Sequence, residues 1–203
     1  MGLKFSIPYQ IPFYETDITH QVKLPHLLAF SLQVSGMQSE SLGNTDKEVF
    51  DKYGLVWIVT DYAIEIDRLP RYNEKVTITT EAISYNKIFC YRNFYITDET
   101  GQQIMLFKTT FALMDYETRK VAEVPDEVVA PYGADKTKKL LRGPRYNALE
   151  NPIETLYRVR YFDLDMNGHV NNSKYLEWMF DVFDLDFLIK YLSLIHISEP
   201  TRH

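Results

Sequence analysis

Apolar residues near the start of the chain recur at helical spacing. Leu24, Leu28 and Leu32 lie four residues apart, which places their side chains on one face of a helix. Three small residues continue this face: Ser35, Gly36 and Ser39. Small side chains on a helix face allow another layer of the fold to approach closely. Gly43 is a typical residue for the C-terminal end of the helix. The pattern predicts one long helix that packs against a sheet.

Four later stretches alternate between apolar and polar residues, as strands with one buried face do. They span residues 55–69, 76–82, 88–97 and 104–114. Residues 4–15 also alternate, but Pro8 and Pro12 interrupt the pattern, which is typical of an edge strand. One helix followed by a run of antiparallel strands predicts the α+β class, with the sheet wrapped on the helix.

The beginning of the chain recurs later without gaps, at an offset of 148 residues. The corresponding pairs include Tyr14 and Phe162, Asp17 and Asp165, Val22 and Val170, Leu28 and Leu176, and Phe30 and Trp178. Each copy has an aromatic strand end, an aspartate, a short turn and a helix. The second copy has Asn167 and His169 where the first has Thr19 and Gln21. The fold is therefore predicted to start again near residue 153, with polar catalytic residue types in the second copy alone.

This repeat divides the chain into four parts. We expect a first module at residues 1–124, a linker at 125–152, the start of a second module at 153–191, and a foreign tail at 192–203. The tail reads LSLIHISEPTRH, and all but its last residue is the translation of a transposon-end adapter used in sequencing libraries. We therefore expect it to lie outside the natural protein, and the second module to be cut short.

Composition narrows the possible classes of protein. With 45% hydrophobic and 25% charged residues, the chain resembles an ordinary globular protein, and its apolar runs are shorter than a membrane span requires. A net charge of −6 argues against nucleic acid as a partner. The single cysteine, Cys90, excludes an internal disulfide and fits a reducing compartment, so a cytoplasmic location is expected.

Basic residues are concentrated in the predicted linker. They are Lys136, Lys138, Lys139, Arg142 and Arg145, with Asp135 as the acidic residue among them. Two interpretations are open: a solvated linker, or a docking patch for an acidic carrier.

The segment between Tyr161 and Trp178 carries most of the candidate chemistry. Asp165, Asn167 and His169 alternate along the chain, so an extended backbone would direct all three side chains to one face. Gly168 allows a tight turn before a predicted helix. The N-terminus of that helix offers N–H donors and a favourable dipole to an oxyanion.

This segment resembles the D-x-D-x-x-G-H-V-N-N signature of acyl-acyl carrier protein thioesterases, and more broadly of hotdog thioesterases. The resemblance covers residues 4–191 and includes Trp57, residues 62–66, Pro70, residues 76–80, residues 92–94 and residues 115–119. It implies a tandem hotdog fold, in which an antiparallel sheet wraps on a long helix. The first module is then non-catalytic, and the second is catalytic and truncated.

The resemblance also implies roles for individual residues. Asp165 orients its neighbours or acts on the attacking water, Asn167 holds the substrate carbonyl region, and His169 serves as acid/base or hydrogen-bond donor. The family uses a further acidic residue well downstream, for which this chain offers no match, so the chain as given is expected to lack part of the catalytic set. Residues that either line an acyl pocket or form plain core are Trp57, Met37 and Phe94.

Hydrolysis of acyl-acyl carrier protein (acyl-ACP) in fatty acid biosynthesis is the expected function. An acyl-CoA thioesterase and a catalytically silent acyl-binding hotdog protein are the alternatives. The expected partner is acyl carrier protein with its phosphopantetheine-linked acyl chain, and a homodimer is left open. Neither metal nor cofactor is predicted, because the histidines lack ligand spacing and no glycine-rich phosphate loop occurs. Cys90 lies mid-strand with no paired histidine, which disfavours it as a nucleophile.

Overall fold

The computed structural model describes residues 2–141, 150–152, 154–165 and 168–192, and the backbone of 197–200. The helices are α1 (Leu24–Ser41), α2 (Asp46–Tyr53), α3 (Asp126–Val129), α4 (Asn172–Phe180) and α5 (Leu185–Tyr191). The strands are β1 (Lys4–Gln10), β2 (Leu55–Ile66), β3 (Lys75–Tyr85), β4 (Phe89–Asp98), β5 (Gln103–Asp115), β6 (Val121–Ala122), β7 (Asp135–Lys136) and β8 (Ile197–Pro200). The expected long helix and four main strands are therefore present, and the expected edge strand ends at Gln10.

The strands form one sheet in the order β1-β3-β4-β5-β2-β8. All of these neighbours pair antiparallel, while β6 pairs with β5 and the short β7 runs parallel to β3. The ladder between β2 and β5 shifts register between Val59 and Asp61, which marks a bulge. β8 falls in the segment predicted to be foreign, and that origin stays a prediction.

Helix α1 packs one face against this sheet. Its buried face includes Leu24, Leu27, Leu28 and Val34, which recur at the three- and four-residue spacing of a helix. These side chains share a core with sheet residues such as Phe94, which is fully buried. The predicted α+β arrangement, an antiparallel sheet on a long helix, is confirmed.

The segment predicted as a linker begins with ordered structure. Val128, Val129 and Tyr132 are buried, and the two valines belong to a second hydrophobic cluster with Val49 and Leu113. The first packing unit thus extends past the expected boundary at residue 124. The physical reason is that α3 and the 3-10 turn after it bury their apolar side chains against the sheet, which a solvated linker would leave exposed.

The predicted repeat is visible in the backbone. Each copy has a short 3-10 helix, Phe13–Glu15 and Tyr161–Asp163, followed by an isolated bridge, and the bridges join Thr16 with Val22 and Leu164 with Val170. Helix α4 then stands where α1 stands in the first copy. It packs against α1, and Leu176 joins the core of the first module. None of the described helices is long and apolar enough to cross a membrane.

Candidate active site

A closed loop, rather than an extended strand, holds Asp165 and His169. The backbone N–H of Asp165 donates to the carbonyl oxygen of His169 at 2.7 Å, and the N–H of Gly168 donates to the carbonyl oxygen of Asp165 at 3.0 Å. Gly168 adopts φ +75°, a conformation that favours glycine. The tight turn expected at Gly168 is therefore present, and the backbone here is not the extended one that would direct alternating side chains to one face.

The carboxylate of Asp165 helps to close this loop. Its Oδ1 accepts a hydrogen bond from the backbone N–H of His169 at 3.0 Å. Asp165 also lines a cavity, whereas His169 is half-buried outside the cavity lining. Asn167 lies outside the described residues. The structure thus places Asp165 and His169 in one loop, and the convergence of all three side chains stays a prediction.

The loop leads directly into α4. Asn171 caps the helix, since its Oδ1 accepts from the backbone N–H of Ser173 at 3.0 Å and from the Ser173 hydroxyl at 2.9 Å. Asn172, the first residue of α4, lines the same cavity as Asp165. The positive end of the α4 dipole therefore lies at this cavity, where negative charge is stabilised.

The His169 ring meets a residue of the first module. Its Nε2 lies 3.2 Å from Nη2 of Arg119, in the turn after β5. Oδ1 of Asp115 holds this turn by accepting from the backbone N–H and the hydroxyl of Thr118, each at 2.7 Å. Arg119 itself adopts φ +58°, which is strained for a residue with a side chain.

The cavity that Asp165 lines has a volume of about 230 Å³ and lies between α1 and the sheet. Its apolar lining includes Leu32, Trp57, Val59 and Phe111, and its small lining residues on α1 are Ser35, Gly36 and Ser39. The face predicted to become small thus provides space for a ligand. Polar side chains line it as well, and they include Ser84, Tyr91 and Arg92.

Arg92 is the cationic side chain among these lining residues. Its Nη1 donates to Oε1 of Gln38 at 2.6 Å and to Oγ1 of Thr80 at 2.8 Å, and its guanidinium lies 5.0 Å from the centroid of the Tyr132 ring. Burial lowers the pKa of Arg92 to about 10, so the group remains cationic at neutral pH. Burial raises the pKa of Cys90, which also lines the cavity, to about 12. A thiol with this pKa is a poor nucleophile at neutral pH.

The three residues predicted to bind substrate occupy different environments. Trp57 lines the cavity and meets Phe111 edge to face. Phe94 has no accessible surface and belongs to the core, so it offers no surface to a ligand. Met37 is half-buried on α1, outside the cavity lining. Phe94 thus takes the plain-core alternative: it shares a face of β4 with Arg92, two residues away, but packs among the core side chains. Met37 belongs neither to the cavity lining nor to the fully buried core, so neither alternative describes it.

The predicted basic patch is described only in part. Lys138 and Lys139 are exposed, while Lys136 donates to both carboxylate oxygens of Asp126, at 2.7 and 2.8 Å. Arg142 and Arg145 lie outside the described residues. Among the described residues, no group of three or more His, Cys, Asp or Glu side chains is arranged to hold a metal ion.

Two residues of this site escaped sequence reasoning. Arg119 is the last residue of a segment that the family resemblance includes, and Asp115 and Thr118 in that segment are typical turn residues. The sequence pattern nevertheless gives no indication that this turn contacts His169. The sequence shows Arg92 as one position of an alternating strand, and only the structure reveals that it is buried with neutral hydrogen-bond acceptors among the described residues.

Two family models match the chain. The acyl-ACP thioesterase N-terminal domain matches residues 2–132, and the acyl-ACP thioesterase C-terminal domain matches residues 146–198. A chloroplastic acyl-[acyl-carrier-protein] hydrolase of Cuphea viscosissima is 26% identical over 193 residues, covering 88% of this chain and 46% of that protein. The chloroplastic palmitoyl-acyl carrier protein thioesterase of Arabidopsis thaliana is 26% identical over 196 residues, covering 89% and 47%. The chain thus spans about half the length of these curated relatives.

Solved structures agree with this result. A provisionally assigned oleoyl thioesterase of Lactobacillus plantarum is 36% identical with a TM-score of 0.90, and the match covers 97% of this chain and 77% of that one. The 12:0-ACP thioesterase of Umbellularia californica has a TM-score of 0.75 at 22% identity, covering 89% and 75%, which shows a shared fold. The sheet and its helix are the hotdog fold of these thioesterases. With both family models matched in order along its length, the chain belongs to the acyl-ACP thioesterase family.

Proposed function

We propose that this protein hydrolyses acyl-ACP, releasing a free fatty acid and the carrier thiol in fatty acid biosynthesis. One observation carries the proposal. Asp165 lines a partly apolar cavity and begins the loop that presents His169, immediately before the N-terminus of α4. The chain's membership of the family supports the same reaction. So does the name of its Cuphea viscosissima relative, an acyl-[acyl-carrier-protein] hydrolase.

The reaction adds water across the thioester. The oxygen of water attacks the carbonyl carbon, and the carboxylate of Asp165 takes the proton that water loses. The positive end of α4, which begins at Asn172, steadies the oxyanion of the tetrahedral intermediate. The C–S bond then breaks, and the leaving sulfur takes the proton that Asp165 holds, while Nδ1–H of His169 donates a hydrogen bond to the reacting group. The products are a fatty acid and a thiol.

The first test measures release of free thiol from acyl-ACP by a full-length version of the protein, since the chain spans about half the length of its curated relatives. Asp165→Ala and His169→Ala are expected to lower the rate about 100-fold or more, the usual contribution of a positioned acid or base. Asp17→Ala is the matched control, because Asp17 closes the same loop in the first copy through its own Oδ1. Near-normal rates for both variants of the second copy would refute the site.

The carrier is the second part of the proposal. Lys138 and Lys139 present positive charge at the surface, and an acidic carrier meeting such a patch associates faster. Replacing both with Gln is expected to lower kcat/KM for acyl-ACP and leave acyl-CoA turnover unchanged. The same change at Lys47 and Lys52, two exposed lysines of α2, serves as control.

Two other outcomes would redirect the proposal. Equal turnover of acyl-CoA and acyl-ACP, unaffected by the lysine variants, would favour an acyl-CoA thioesterase. Fatty acid binding with no thiol release from either substrate, even with the C-terminus restored, would favour a silent acyl-binding protein. A cytoplasmic location and a homodimer remain predictions from the sequence.

A further inference from the structure

The cavity contains a buried cation, Arg92, which makes no hydrogen bond to a carboxylate of the described residues, although Asp46 and Asp165 also line the cavity. Arg92 is 8% exposed and lines the cavity from the middle of β4, where its neighbours across the ladders are Ala82 and Thr109. Among the described residues its hydrogen-bond acceptors are the neutral oxygens of Gln38 and Thr80. A buried charge of this kind is costly unless further acceptors satisfy it.

These partners hold Arg92 in a fixed orientation. Gln38 is 2% exposed, and its Nε2 donates to the carbonyl oxygen of Leu3 at 2.8 Å, so its Oε1 faces the guanidinium. The Tyr132 ring beneath the guanidinium is anchored through its hydroxyl, which lies 2.7 Å from Oγ of Ser39. The site is therefore built by side chains from a helix, a strand and a 3-10 turn.

One edge of the guanidinium is left for a ligand. The hydrogen bonds to Gln38 and Thr80 both leave from Nη1, and in the part of the chain that the structure describes Nε and Nη2 make no hydrogen bond. The N–H groups of Nε and Nη2 point in the same direction, as the two prongs of a fork. They can donate to two oxygens of one group, or both to a single oxygen. A plain alkyl chain offers these donors no acceptor, and a buried donor without an acceptor is unfavourable.

We propose that this cavity selects acyl chains that carry an oxygen substituent, which accepts hydrogen bonds from Nε and Nη2 of Arg92. The substituent is a hydroxyl, oxo or carboxylate group on the chain, separate from the thioester. This inference deepens the proposed function, since it names the substrate class of the same cavity. Arg92 is then a specificity-determining residue with no part in the bond-breaking step.

The test measures binding of free acids, which requires no catalysis. The probes are fatty acids of one chain length that carry a hydroxyl at successive positions, the dicarboxylic acid of that length, and the unsubstituted acid. At least one substituted acid is expected to bind the protein about tenfold more tightly than the unsubstituted one, as a hydrogen bond to a charged group provides. The hydroxyl series and the dicarboxylic acid separate a neutral from an anionic acceptor.

Two variants connect this preference with the guanidinium. Arg92→Met keeps an unbranched, though shorter, side chain and removes a buried charge, so a folded protein without the preference is expected. Arg71→Met, at an exposed arginine outside the cavity, is expected to retain it. Arg92→Lys keeps the charge without the fork, and a weakened preference in that variant tests the geometry even where Arg92→Met does not fold.

The outcomes separate this inference from the proposed function. An unsubstituted acid that binds as tightly as every substituted acid, or a preference that survives in Arg92→Met, would overturn the role of Arg92. Thiol release from unsubstituted acyl-ACP together with either result would leave the hydrolase proposal intact. An Arg92-dependent preference without any thiol release would support the binding inference and refute the hydrolase.

Discussion

Nη2 of Arg119 lies 3.2 Å from Nε2 of His169 and joins the turn after β5 to the loop before α4. A guanidinium can only donate, so Nε2 of His169 accepts this hydrogen bond. A neutral imidazole that accepts at Nε2 carries its proton at Nδ1. The first module thereby favours one tautomer of a residue in the second copy, and in the proposed reaction Nδ1–H of His169 is the donor.

Removal of this contact should affect turnover more than binding. Arg119→Leu leaves His169 free to rotate and to change tautomer, so kcat for thiol release is expected to fall about fivefold to tenfold, with KM nearly unchanged. Steady-state kinetics on acyl-ACP measure both constants. Lys120→Leu, at the next exposed residue, should leave both unchanged. A larger change in KM than in kcat would contradict the role in tautomer selection.

The strained backbone at Arg119 gives a second, independent prediction. Because φ is +58° there, Arg119→Gly is expected to raise the free energy of unfolding by about 0.5–1 kcal/mol relative to Arg119→Ala. Both variants lose the side chain, so the comparison isolates the backbone term. Urea denaturation measures it, and equal stabilities would show that the turn is relaxed with a Cβ present.

The positions of Phe94 and Trp57 predict opposite phenotypes. Phe94→Ala removes a fully buried ring and should cost roughly 3–5 kcal/mol of unfolding free energy. The protein that remains folded should keep its preference among acyl chains. Trp57→Ala enlarges the cavity and should alter that preference at a smaller cost in stability. Thermal unfolding and kinetics across chain lengths distinguish these two results.

Acid should destabilise the protein through His26. Burial lowers the pKa of His26, and four charged groups modify the effect: Glu15 and Glu177 raise it, and Lys23 and Lys174 lower it. The unfolded chain therefore binds the proton more readily, so stability is lost as the pH falls below about 6.5. His26→Gln should flatten the dependence of unfolding free energy on pH between about 7 and 5. Parallel curves for the two proteins would exclude His26 as the cause.

The internal repeat was the part of the site that the sequence predicted in most detail. The N–H of Lys23 donates to the carbonyl oxygen of Glu15, and 148 residues later the N–H of Asn171 donates to that of Asp163. Asp17 and Gln21 likewise form the backbone pair that Asp165 and His169 form. Matching residue types at matching spacing produce the same local hydrogen bonds, which is why the repeat could be read from the chain.

Contacts between distant segments could not be predicted in the same way. Arg119 and His169 lie 50 residues apart, and the sequence around neither residue indicates a contact with the other. The turn at Gly168 was predicted, but the hydrogen bonds that close the loop on Asp165 were not, because the alternation of polar residues was considered only for an extended backbone. Helix α2 was also missed, despite the reciprocal hydrogen bonds between Thr45 and Glu48 that cap it.

Gly36 is a position on α1 that has room for a side chain beside the cavity. A Cβ at this residue would meet no atom within 4 Å, and the residue lines the cavity. A side chain added there would shorten the room for a bound chain, while a helix interior gains rather than loses stability when glycine is replaced. Capacity for substrate and robustness of the scaffold are thus set by separate constraints, so chain-length selectivity can drift, or be engineered, at this one site without endangering the fold.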